Sequence, residues 1–306
     1  MKTITLILSG IILGSAVLLA GSEPRSESEG NYQPVLYWPR IPSEFRFGQV
    51  TGIAVDSEDR IYVFHRGKKP ITVFDRSGKF LRSWGDGLIK TAHGLRIDSK
   101  DNVWVTDLGT HLVMKFDNRG KLLLTVGKKG QPGNTKDKFN KPADVGVTSS
   151  GVFYVADGYG NNRVVKFAKD GSYLKEWGKR GKGNGEFHLP HSICVDTRGR
   201  VYVGDRENNR VQVFDSDGNY LAQWSKSGAP YGLSLHGKKM FLADGRANVV
   251  KLLNLEGKTL YQWGSKGIKV GQFKMPHWVC VDSRGAVYVA EVNGKRVQKF
   301  EFRKGA

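Results

Sequence analysis

The sequence predicts an all-β fold, a six-bladed propeller, and three observations carry that expectation. Segments of like pattern begin near Val50, Ala92, Pro142, Pro190, Pro230 and Pro276. Each holds short alternating apolar runs separated by Asp/Gly turn signals, which reads as four strands per unit. Glycine is abundant, at 39 of 306 residues, but has no three-residue period, so it marks tight turns and excludes collagen. Repeats of about 40–50 residues with four strands each are the signature of propeller blades.

The units can be taken in order. Met1-Lys2, an uncharged run from Ile4 to Ala20 and the small residues Ala20-Gly21-Ser22 read as a secretory signal over 1–22. An uncleaved membrane anchor is the alternative, because the run is nearly long enough to span. Either way the body of the protein is expected to be secreted or periplasmic. Residues 23–33 read as a polar, flexible leader, and 34–306 as the propeller. Four units end in L-x-x-W, at Leu81–Trp84, Leu174–Trp177, Leu221–Trp224 and Leu260–Trp263. The sixth unit stops one strand short, and Val35-Leu36-Tyr37-Trp38 is expected to supply the missing strand and close the ring.

Composition narrows the function. With 39% hydrophobic and 11% aromatic residues the chain is globular rather than disordered. Its two cysteines, Cys194 and Cys280, cannot form a disulfide framework; they hold equivalent first-strand positions and read as buried thiols. The excess of 48 Lys+Arg over 29 Asp+Glu gives +19, a field that favours acidic ligands. Nucleic acid is not an expected partner, because the lysines are scattered rather than interleaved with aromatics and the chain carries an export signal. A monomer without stable membrane contact is expected once the signal is removed.

Two kinds of recurrence need separate treatment. Asp107, Asp157, Asp205, Asp244 and, in the sixth unit, Glu291 stand at one position. A carboxylate in most blades suits folding better than chemistry, since it can accept backbone N–H bonds in the turn that follows. The pairs Asn162-Arg163 and Asn209-Arg210 read the same way. Just before the first strands, by contrast, the series is Thr51, His93, Ala143, His191, Tyr231, His277. Histidine occupies alternate blades, about 120° apart around a channel lined by first strands. Three imidazoles would converge there as a His₃ site with an open fourth position, the arrangement of catalytic zinc. His188 is not expected to ligate, because Pro190 breaks its spacing from His191. His65, His111 and His236 read as surface or turn histidines.

The turns after the second strands share the histidines' face and carry Arg66, Arg206 and Tyr159. Two fixed cations can hold a carboxylate, and with a metal they would lower the pKa of Tyr159 from about 10, fitting it as a base.

The G-x-V-x-V-A-D-x-x-N-x-R-V flavour of the units resembles NHL-repeat propellers. At the site the resemblance narrows. FHRG around Arg66, AHGL at His93, QPG and P-x-D-V within Gln131–Val145, DGY-x-N-x-R at Tyr159, PHS at His191, DREN at Arg206 and MPH at His277 are similar, in order, to the peptidyl-α-hydroxyglycine α-amidating lyases. The resemblance covers nearly all of Tyr37 to Phe302. It implies a Zn²⁺ ion on His93, His191 and His277, Tyr159 as catalytic base, Arg66 and Arg206 as catalytic and substrate-side cations, and Met275 near the substrate. It implies cleavage of a C–N bond in a peptidyl- or N-acyl-α-hydroxyglycine, a substrate with a terminal carboxylate, to an amide and glyoxylate. Two departures stand out. Positions of the animal members' disulfides hold Asn140, Gly160, Tyr202 and Val213. The family's structural Ca²⁺ uses an aspartate where this chain has Trp278, leaving only backbone carbonyls at Ile53 and Leu95. No monooxygenase domain accompanies the lyase-like segment in this sequence. The other readings are a non-catalytic binding propeller with a basic face, or another metal-dependent propeller enzyme such as a lactonase or a different lyase.

Overall fold

Alternation of apolar and polar residues, broken by turns every few residues, folds the chain into six antiparallel four-stranded sheets. The computed structural model describes residues 31–303; the expected signal over 1–22 lies outside the described residues. The innermost strands are Val50–Val55, Ala92–Ile97, Asp144–Val147, Pro190–Val195, Pro230–His236 and Pro276–Val281. Each is followed outward by its three neighbours in sequence order, except in the last blade.

There the outer strand comes from the N-terminus. Asn31–Pro34 pairs antiparallel with Arg296–Arg303, in the register Tyr32 opposite Phe302. Closure is therefore as expected, but the closing strand lies four residues earlier than Val35–Trp38 and takes in the end of the expected leader. The reason is local. Tyr37 adopts a left-handed φ of 58° and Pro39 follows, so the segment after Val35 cannot stay extended. Tyr32 supplies the aromatic, stacking on Trp263 at 4.7 Å. Trp38 instead folds inward between blades six and one, with its ring 4.8 Å from Tyr288 and its Nε1 donating to the Arg76 carbonyl at 3.2 Å.

The core lies between blades. Clusters such as Ile53, Ile61 and Phe74 with Trp278, Tyr288 and Val297 join one blade to the next. Cys194 and Cys280 sit equivalently, opposite Tyr202 and Tyr288, and burial pushes the Cys194 thiol up to about 12. They are inert at neutral pH.

Candidate metal centre

The recurring acids anchor the strands that carry the histidines. Asp107 accepts the N–H of Lys90 at 2.8 Å, Asp205 that of His188 at 2.7 Å and Glu291 that of Lys274 at 2.6 Å. Each of these N–H groups lies three residues before a channel histidine. The acids are further tied to cations at the start of the third strand: Asp157 to Arg163 at 3.0 Å, Asp205 to Arg210 at 2.9 Å and Glu291 to Arg296 at 2.6 Å. Arg163 and Arg210 then donate to loop carbonyls, including Lys138 and Glu186, and hold the lead-in segments down. Asn162 is drawn in as well, accepting from Leu189 N–H at 3.1 Å. These groups are structural, as their recurrence indicates.

Blade one keeps the same bond with a different residue. His65, at the end of Ile61–His65, is fully buried and is no surface histidine. Its Nδ1 accepts from Gly67 N–H at 3.1 Å and stands 3.4 Å from Gly48 N, which is again seventeen residues back. Phe45 and Phe47 pack on the ring, and burial lowers its pKa to about 4. An imidazole lone pair thus does the work of a carboxylate oxygen in a blade whose lead-in is aromatic. His111 occupies a turn with φ 62°, and His236 is exposed at a strand end.

His93, His191 and His277 converge. Each is the second residue of its inner strand, which begins two residues earlier than expected and so takes the histidine in. One ligand atom from each lies within 4.8 Å of the others, and all three rings are buried. Their Nδ1 atoms are spent on carbonyls of the next blade: His93 on Ala143 at 2.7 Å, His191 on Tyr231 at 2.6 Å, His277 on Thr51 at 2.7 Å. A carbonyl can only accept, so each Nδ1 carries the proton and each Nε2 presents a lone pair. The carbonyls belong to the three non-histidine members of the alternating series. Half the ring offers imidazoles, and the other half fixes their tautomer, as the outer support of a metal site would.

The donor set fits a metal for a second reason. The Tyr159 hydroxyl lies 3.0 Å from Nε2 of both His93 and His191. One phenolic proton cannot serve two lone pairs, and protonating a ring is opposed by the surroundings. Burial lowers all three histidines, with Arg206 adding to it at each and Arg66 at His93 and His277, and brings His277 to about 3. A cation bound between the Nε2 atoms removes the conflict. His188 lies outside this cluster, its backbone N–H held by Asp205.

Tyr159 is placed by close backbone packing. A Cβ on Gly158 would come within 2.0 Å of the Pro190 carbonyl oxygen, so only glycine lets this turn lie against the strand of His191. Arg206 donates to the Tyr159 hydroxyl at 3.2 Å and stacks over Tyr231 at 4.8 Å. Burial raises the Tyr159 pKa, and Arg206 and Arg66 oppose it without overcoming it. The expected lowering is therefore not achieved by the arginines alone.

Arg66 and Arg206 are equivalent in backbone terms, their N–H groups donating to the Gln49 and Leu189 carbonyls at 2.9 and 3.1 Å. Their charges are handled differently. Arg206 donates to Glu207 at 2.9 Å, and Glu207 also takes Arg246. Arg66 has only neutral partners among the described residues: the Ala92 carbonyl at 3.1 Å and Gln49 Oε1 at 2.8 Å. Glu207, Gln49 and the three carbonyls were not legible as site residues; the alternate positions of the histidine series were the one available signal. Met275 stands two residues before His277 with φ 61°, its N–H bonded to Asn248 Oδ1 at 2.9 Å.

Comparison with known proteins bears on the fold and the family. The NHL repeat model matches residues 139–167, 187–214 and 273–300. Human NHL repeat-containing protein 3 is 36% identical over 287 residues, covering 86% of this chain and 82% of its own length. Peptidyl-alpha-hydroxyglycine alpha-amidating lyase 2 of Drosophila melanogaster is 30% identical over 170 residues, 46% of this chain and 41% of its own. Peptidyl-glycine alpha-amidating monooxygenase B of Xenopus laevis is 31% identical over 202 residues, so the match takes in 56% of this chain but only 23% of that relative. Among solved structures a streptogramin B lyase superposes with a TM-score of 0.64 over 92% of this chain and 100% of its own, at 14% identity, a likeness of fold alone. The chain belongs to the family of NHL repeat-containing protein 3, which it matches over most of both lengths, and part of it is similar to the peptidyl-α-hydroxyglycine α-amidating lyases.

Proposed function

We propose that this chain is a zinc-dependent lyase that cleaves the C–N bond of peptidyl- or N-acyl-α-hydroxyglycines to give an amide and glyoxylate. The observation that carries the reading is the meeting of three Nε2 lone pairs with the hydroxyl of Tyr159 and the guanidinium of Arg206 at one buried point. A zinc ion held by His93, His191 and His277 would supply Lewis acidity toward the substrate hydroxyl.

The chain's own residues supply the rest. Arg66, with only neutral partners among the described residues, anchors the terminal carboxylate. Arg206, already paired with Glu207, acts on Tyr159 and favours its ionised form. Tyr159 removes the hydroxyl proton as the C=O of glyoxylate forms. The electron pair of the breaking C–N bond goes to nitrogen, and the same proton returns there to complete the amide. Burial of the three histidines limits the access of bulk water to the reacting atoms.

Export through residues 1–22 belongs to this reading, with a small-molecule or peptide substrate and a monomeric chain. Sequencing the N-terminus of the mature protein tests export. A second reading, a propeller that binds without catalysis, is favoured by one finding: human NHL repeat-containing protein 3, similar over most of both lengths, bears a name that states no reaction. A panel of N-acyl-α-hydroxyglycines and lactones separates the readings. Glyoxylate release supports the lyase, lactone opening a different propeller enzyme, and neither the binding module.

A further inference from the structure

Below the histidines the channel holds a cation of its own. Arg96, in the first strand of blade two, reaches across the axis to three other blades. Its Nε and one Nη meet both oxygens of Asp144 in blade three, at 3.1 and 2.5 Å. It donates further to the carbonyls of Ile193 in blade four at 3.1 Å and Leu233 in blade five at 2.8 Å. Asp144 is completely buried, and its remaining capacity goes to the N–H groups of Val145 and Ile193, each at 2.8 Å. The guanidinium lies over the Trp278 ring at 4.9 Å, and that indole stacks on His277, with ring centres 5.7 Å apart. On the far side a cavity of about 240 Å³ opens among Ile53, Val147, Val195 and Leu235, with Arg96 in its wall.

Calcium does not fit this channel. The ion needs six to eight oxygens, normally with carboxylate charge among them. Trp278 supplies no oxygen where the resemblance has an aspartate. Asp144 is engaged on both oxygens, and any ion near Ile53 would share a low-dielectric space with a fixed guanidinium.

We propose that Arg96 is the resident cation of the channel. It takes over the cross-bracing that the resemblance assigns to Ca²⁺, ties blades two to five through Asp144, Ile193 and Leu233, and closes the channel beneath the histidines. One planar fork does this because its donors point in several directions at once, each toward a different blade. The site then opens on the histidine face alone, and the scaffold is complete without calcium.

The test uses the whole chain with its zinc content held constant. Isothermal titration of the wild type with millimolar Ca²⁺ should show no heat of binding and no change in Tm. Stoichiometric calcium binding, or a clear rise in Tm, would overturn the proposal whatever the catalytic activity proves to be. Arg96→Gln should lower Tm by roughly 5–15 °C, or leave the chain unfolded, because it strands a buried carboxylate. Arg96→Gln with Asp144→Asn should recover at least half of that loss, or fold where the single variant does not. A double variant no better than Arg96→Gln alone would show that the pair is not what braces the blades.

Discussion

The carboxylates at the ends of the second strands and the histidines at the starts of the first strands lie close together, yet they spend their polar atoms in opposite ways. Asp205 uses both oxygens within the scaffold, on His188 N–H and on Arg210. His191, on the strand that Asp205 steadies, uses one nitrogen on the Tyr231 carbonyl and turns the other to Tyr159 and the centre. A group repeated in nearly every blade closes its hydrogen bonds locally, because each blade has the same turn to satisfy. A group present in alternate blades leaves valence that only a shared central ligand can use.

That contrast breaks most sharply at a channel histidine. His191→Ala should remove the metal and reduce turnover to background, whereas His188→Ala should retain both, as read by metal analysis and glyoxylate release. The reverse pattern would exchange the roles of the two histidines. On the scaffold side, Asp205→Asn leaves Arg210 buried beside a neutral amide. It should cost about 3–5 kcal/mol in denaturant unfolding, with metal still bound by whatever fraction remains folded.

Arg66→Lys keeps the charge and loses the planar fork. Turnover per unit substrate, kcat/KM, should fall roughly 10–100-fold with unchanged metal content if the arginine grips a carboxylate. The smallest effect expected is at His65. Its pKa is held at about 4 when folded by burial, against about 6.5 when unfolded. Below pH 6.5 the unfolded chain takes up a proton that the folded chain refuses, so stability falls as pH drops toward 4. At pH 5 the loss is about 2 kcal/mol relative to neutral pH. Unfolding of His65→Gln should show a correspondingly flatter dependence between pH 6.5 and 4.

The blades and the histidine triad were legible because both are periodic. Strand alternation and turn residues repeat six times, and a three-fold pattern within a six-fold one points to the axis. What escaped the sequence has no period. Val35–Trp38 resembles a closing strand in composition, but the left-handed backbone at Tyr37 moves the pairing to Asn31–Pro34. His65 looks unlike the acids it replaces, and only its bonds to backbone N–H groups reveal the equivalence. The reach of Arg96 to Asp144 and Leu233 joins residues up to 137 positions apart, a distance that ring closure sets and no local pattern encodes. The state of Tyr159 depends on burial set against two arginines, a balance of magnitudes rather than of residue types.

Tyr159→Phe tests the central claim most directly, because it removes one oxygen and leaves the three channel histidines untouched. Metal content and glyoxylate release should be measured on the same purified sample of wild type and variant. The wild type should hold about one zinc per chain and release glyoxylate from an N-acyl-α-hydroxyglycine. The variant should keep its zinc and its Tm while turnover falls by about two orders of magnitude or more. A variant that turns over at the wild-type rate, or a zinc-replete wild type that releases no glyoxylate, would contradict the account.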